Sequence, residues 1–167
     1  MIRRARALAA LVTLAGLCGH AQADAFARVR FLIGDWIAVD TPPGETGSFS
    51  FKLSVQDHVM IRTNEANYAA TADRAASRHD DLLVMYVENG SLKADYFDSE
   101  GHVIRYAVRP DDADAVTLIS EARPSEPRYR LTYRAGANGL LNGTFEIASP
   151  DAPSAFKPYL SWSARKK

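Results

Sequence analysis

DLLVMYVENGSLKADYF, residues 81–97, carries the clearest fold signal in the chain. Two runs of strand-forming residues flank Glu88-Asn89-Gly90. Asn-Gly is the strongest short hairpin signal, because both residues tolerate the positive φ that a tight two-residue turn demands. After the turn, Leu92, Ala94 and Tyr96 alternate with Lys93 and Asp95, the period-two pattern of a half-buried strand. The stretch predicts two antiparallel strands, over 81–87 and 91–97.

The same rhythm extends in both directions. Upstream, FSFKLSV (49–55) places Phe49, Phe51, Leu53 and Val55 on one side. Gln56 and Asp57 then turn, and HVMIRTNEANY (58–68) sets Val59, Ile61 and Thr63 against Met60, Arg62 and Asn64. An earlier strand starts at Trp36, and TPPGETG (41–47) ends it with proline and glycine. Downstream, VIRYAVR (103–109), VTLISE (116–121), RYRLTYR (128–134), LLNGTFEIA (140–148) and FKPYLSWSA (156–164) read as strands with turn-sized connections. Residues 69–80 are less regular and read as a short helix or a loop. Residues 24–31 read as a short helix or an irregular turn. About ten short strands leave no room for the crossover helices of a parallel sheet. The expected fold is all-β: a single antiparallel meander barrel, with a sandwich as the alternative. Closure removes exposed sheet edges.

The chain opens MIRRARALAALVTLAGLCGHAQADAF. Arg3, Arg4 and Arg6 precede an apolar run from Ala7 to Cys18, and Ala21-Gln22-Ala23 forms an A-x-A cleavage site. This is the form of a secretory signal peptide over 1–23, with a periplasmic or secreted domain over 24–167. The apolar run is short of the ~20 residues a membrane span needs, and no transmembrane segment is expected after cleavage. Leu17 stands where a lipidation site wants a small residue before Cys18. Cleavage would remove the only cysteine, so no disulfide, thiol nucleophile or thiolate metal site is expected. It would leave 17 basic against 20 acidic residues. No basic stripe suggests a nucleic-acid partner.

RFLIGDW (30–36) follows almost directly on the signal. Its Gly34-x-Trp36 resembles the opening of the lipocalin-like, or calycin, barrels. The resemblance implies that Trp36 closes one end of the barrel, with a late basic residue, Arg165, packed over its ring. YFDSEGHVIRY (96–106), RYRLTY (128–133) and FKPYLSW (156–162) look similar to an uncharacterised exported bacterial family within that group. The similarity covers roughly 28–165 and lies near the nitrobindin-like and fatty-acid-binding-protein-like barrels. Nitrobindin-like relatives bind haem through a histidine on a late strand. This chain has no histidine after His102, so the resemblance does not extend to haem.

No complete catalytic constellation is visible. His58, His79 and His102 show no metal-ligand spacing. No G-x-S-x-G and no phosphate loop occur, and no motif requires a cofactor or a metal. His79 is the histidine best placed for a pocket mouth. Glu65 and Asp95 lie within strands, and either would need a partner such as Arg62 or Arg105 if it pointed inward. Tyr86, Tyr96, Tyr106 and Tyr133 lie on different strands in phase with apolar neighbours. If those faces are interior, they line the barrel with rings that carry polar tips. Arg62 or Asn142 would then orient a small hydrophobic or amphipathic ligand, with Glu65 and His79 beside it. A filled core is the competing reading of the same tyrosines. Three functions remain open: a non-enzymatic binder, an enzyme acting on a small organic substrate in the same pocket, and an envelope interaction module.

Overall fold

The computed structural model describes residues 26–167, so the expected signal over 1–23 lies outside the described residues. Ten strands form one closed antiparallel barrel. In chain order they are β1 (Gly34–Val39), β2 (Glu45–Ser54), β3 (Val59–Tyr68), β4 (Ser77–Glu88) and β5 (Ser91–Asp98). β6 (Val103–Asp112), β7 (Ala115–Ser120), β8 (Arg128–Ala135), β9 (Leu141–Ala148) and β10 (Lys157–Lys166) complete it. Each strand pairs with its sequence neighbours, and β1 closes on β10 with Trp36 opposite Lys166. This is the meander topology of a lipocalin-like calycin barrel. Among the described residues, no helix is long and apolar enough to cross a membrane.

The hairpins explain the register. Asn89 and Gly90 both take positive φ, 50° and 74°, and hold Glu88 opposite Ser91. That pairing fixes every residue of β4 against β5. β2 ends at Ser54, earlier than the period-two pattern suggests. Val55, Gln56 and Asp57 all adopt left-handed φ values between 51° and 64° to turn the chain. Val55 is therefore an exposed turn residue and not the last apolar side chain of the inner face. The irregular stretch is also shorter than expected: β4 begins at Ser77, and only 69–76 form a loop.

One end of the barrel is plugged. A short 3₁₀ turn, Arg30–Leu32, follows Phe26 and Val29, and Phe26, Val29 and Leu32 are fully buried against the core. Burying such side chains is worth about 1.5–3 kcal/mol each. The Trp36 indole joins plug to barrel: its Nε1 donates to the Leu32 carbonyl at 2.8 Å. Gly34 has φ 141°, and a Cβ there would press on the Lys166 side chain. The cation over Trp36 is Lys166, 5.3 Å from the ring centroid, and not Arg165. Register is the reason: Lys166 sits opposite Trp36, whereas Arg165 sits opposite Ile37 on the other face.

The other end is open. The connections 40–44, 69–76 and 99–102 are exposed throughout, and 121–127 and 149–156 are exposed except for half-buried Pro127 and Phe156, so none of them folds down as a plug. Between the ends, Phe49, Phe51, Met60, Leu83, Met85, Leu118 and Tyr133 fill the lumen. Tyr133 meets Phe51 and Trp162 edge-on, at centroid distances of 5.4 and 5.9 Å.

Candidate polar cluster and apolar wall at the open end

Arg62 lies on the inner face of β3, between Met60 and Asn64, and is 5% exposed. A buried guanidinium needs a counter-charge. Asp81 supplies it from the next strand, where Arg62 Nη2 donates to Asp81 Oδ1. Arg62 Nη1 donates to the Tyr133 hydroxyl across the barrel, on β8. Burial alone would lower the Arg62 pKa, but Tyr133 and Asp81 outweigh it, and the guanidinium is held firmly charged. Arg62 Nε has no hydrogen-bond partner although it is buried. Asn64 Nδ2 donates to Asp81 Oδ2 at 2.9 Å.

His79 continues this inner face toward the rim. Its Nδ1 lies 2.8 Å from Glu100 Oε2, and its Nε2 lies 3.3 Å from both Asp81 Oδ2 and the Tyr96 hydroxyl. A charged imidazole donates from both nitrogens, to Glu100 and to Asp81. A neutral one protonated at Nδ1 accepts the Tyr96 proton instead. Burial pulls the His79 pKa down, but Glu100, Asp81 and Asp98 pull it up further, and the net shift is upward. Burial raises the pKa of Tyr96, Tyr106 and Tyr133, so all three remain neutral donors.

Asp98, Glu100 and His102 each place one potential ligand atom within 4.8 Å of the others in the β5–β6 turn. The Asp98 carboxylate already accepts the backbone N–H groups of Glu100 and His102, at 3.1 and 2.8 Å. Its contacts are those of a turn cap, and they account for the cluster.

The wall opposite β3 and β4 is apolar. Tyr129 on β8 stacks on Phe145 of β9 with centroids 5.8 Å apart. Tyr159, at a register shift in β10, meets Phe145 edge-on at 6.2 Å. Leu160, opposite Phe145, is 50% exposed, and Tyr159 is 73% exposed. Inner-face residues deeper on the same strands, Leu131 and Leu141, are buried. The end opposite the plug therefore carries polar groups on β3–β5 and aromatic and aliphatic ones on β8–β10.

The residues singled out in the sequence divide between the inner and outer faces. Tyr106 and Tyr133 are buried on the inner face, and Tyr96 shares that face near the rim. Tyr86 points outward and donates to Asp95 Oδ2 at 3.3 Å. Residues 82–87 are apolar on both phases, and packing buries Leu83 and Met85 rather than Val84 and Tyr86. Glu65 is also outside, accepting from Asn67 at 2.7 Å and pairing with Arg78 at 3.0 Å. Asn142 faces outward and accepts from Ser163 at 2.8 Å. Asp81, Asn64, Glu100, Phe145 and Leu160 were not among the expected site residues. The signal for Asp81 was the phase of Arg62: with Met60 inward, a buried arginine demands an acid on a neighbouring strand.

An open cleft of about 720 Å³ spans β1–β5, with outward-phase Ser50, Thr63, Leu82 and Phe97 in its lining. Leu82, Phe97 and Val103 are cross-strand neighbours and form a short exposed apolar stripe. No protein-family model matches the chain, and no curated protein matches it.

Proposed function

We propose that this chain is an exported protein that binds a small amphipathic molecule at the open end of its barrel. The observation that carries the reading is the two-sided end of the barrel, with Tyr129, Phe145 and Leu160 on β8–β10 and the Arg62–Asp81–His79 cluster on β3–β4. Inner-face apolar side chains left in contact with water gain about 25 cal/mol per Å² when a ligand covers them. The polar cluster would orient the other end of the ligand. The buried Nε of Arg62 supports this, as a donor that still needs an acceptor. The signal-like segment over 1–23 supports a periplasmic or secreted location. The Gly34-x-Trp36 opening and the barrel topology support a place near the nitrobindin-like and fatty-acid-binding-protein-like barrels.

Native mass spectrometry of protein purified from its own periplasm tests the reading. A retained small molecule, lost in Phe145→Asp, is the expected result. Preparations that never carry a ligand, together with no calorimetric response to simple amphiphiles, would refute it.

A second reading has its own observation. Glu100, His79 and Tyr96 stand in line, as an orienting carboxylate, an imidazole and a hydroxyl. Neutral His79, protonated at Nδ1 and oriented there by Glu100, presents Nε2 as a general base that takes its proton from the substrate. Because burial raises the pKa of Tyr96, the hydroxyl would act as a donor and not as a phenolate. Turnover of a small ester or enolisable ketone that disappears in His79→Gln would favour this reading. Equal background rates in both proteins would remove it.

A further inference from the structure

We infer that the head group taken by this site is an uncharged hydrogen-bond acceptor, a carbonyl of the carboxamide or ester kind, and not a carboxylate. The inference rests on the binding reading above and concerns the chemistry of the same site.

The charges of the cluster are already matched. The Arg62 and Asp81 side chains are 6% and 4% exposed, and they form an ion pair with each other. Asp81 is locked on both oxygens, Oδ1 by Arg62 and Oδ2 by Asn64 and His79. A protonated His79 divides its charge between Asp81 and Glu100. An entering carboxylate would bring a negative charge to a site with no unmatched cation. A carboxylate on the free Nε of Arg62 would set a second negative charge beside Asp81, which already balances the guanidinium, and one that displaced Asp81 would leave a buried acid without its partner, an outcome that is strongly unfavourable. Glu100, exposed beside His79, adds further negative charge at the rim.

Two donors remain. Arg62 Nε is buried without an acceptor. The Tyr133 hydroxyl accepts from Arg62 Nη1, and no described residue accepts its proton. Unused donors beside an ion pair that is already matched suit an uncharged acceptor such as a carbonyl oxygen. An ammonium head would meet donors where it needs acceptors.

Isothermal titration calorimetry with octanamide and sodium octanoate, at one neutral pH, separates the possibilities. Octanamide is expected to bind at least about tenfold more tightly, since the acid must bury an uncompensated charge. Octanoate binding as tightly as octanamide, or more tightly, would overturn the inference and leave the binding reading standing. If neither binds, the binding reading falls and takes the inference with it. The Asp81→Asn variant adds a reversal: with Arg62 uncompensated, octanoate should overtake octanamide. A folded Asp81→Asn protein, checked by circular dichroism, that keeps the wild-type order would also overturn the inference. If that variant does not fold, the wild-type comparison decides alone.

Discussion

Trp36 is held by three unlike contacts. Its ring is 4% exposed and stacks near Phe49 at 6.2 Å, its Nε1 binds the Leu32 carbonyl, and Lys166 covers one face. Removing the ring opens a void between plug and barrel and leaves a carbonyl unpaired. Trp36→Ala should cost about 3–5 kcal/mol, read as a lower urea midpoint. A variant of wild-type stability would mean that the plug does not depend on the indole. Val55 is the opposite case. A β-branched residue at φ 51° crowds its own backbone, and nothing is gained, because the side chain is 65% exposed. Val55→Asn should raise stability by about 1 kcal/mol, seen as a higher thermal midpoint. An unchanged or lower midpoint would show that the Val55 side chain makes a contact worth more than the strain.

On β9 a single missing side chain decides how two strands pack. A Cβ on Gly143 would overlap the Trp162 ring, which lies across the glycine from the paired position on β10. Gly143→Ala must push the ring aside and disturb its contact with Tyr133. A cost of about 1–3 kcal/mol is expected, with a changed tryptophan emission maximum. An unperturbed spectrum and midpoint would show that the ring has room to move. Glycine inside a strand signals close approach, but which residue approaches depends on pairing and is invisible in the sequence. The same limit explains what was legible and what was not. β5 could be read with its faces, because Leu92, Ala94 and Tyr96 alternate with polar residues. β4 could be read only as a strand, since both its phases are apolar, and Tyr86 therefore came out on the wrong face. Lys166 and Arg165 could be told apart only by the register of the barrel's closure. Arg62 was legible as a site residue, and its phase called for an acid on a neighbouring strand, but which acid was not legible, because Asp80 and Asp81 stand side by side in the sequence.

The barrel as a whole joins a plugged apolar end to an open end with a charged wall, and this makes its stability depend on pH in a definite direction. His79 couples β4, through Asp81, to the β5–β6 turn, through Glu100. Its folded-state pKa lies above the ordinary value of 6.5, because Glu100, Asp81 and Asp98 outweigh the opposing effect of burial. A group whose pKa rises on folding contributes fully below its unfolded value and loses that contribution as pH climbs through the folded value. Asp98 works in the other sense. Burial opposes its ionisation, but hydrogen bonds from His102 and Glu100 lower its pKa below the ordinary 3.8. Its contribution is present above the unfolded value and disappears only as pH falls through the lowered one. Between pH 6 and pH 8.5 only His79 of these two changes charge. The urea midpoint should therefore fall over that interval, and His79→Gln should flatten the fall. The difference between the two proteins separates His79 from His58 and His102, which both retain. Equal slopes in wild type and variant would show that the rim histidine does not tie the turn to the buried ion pair.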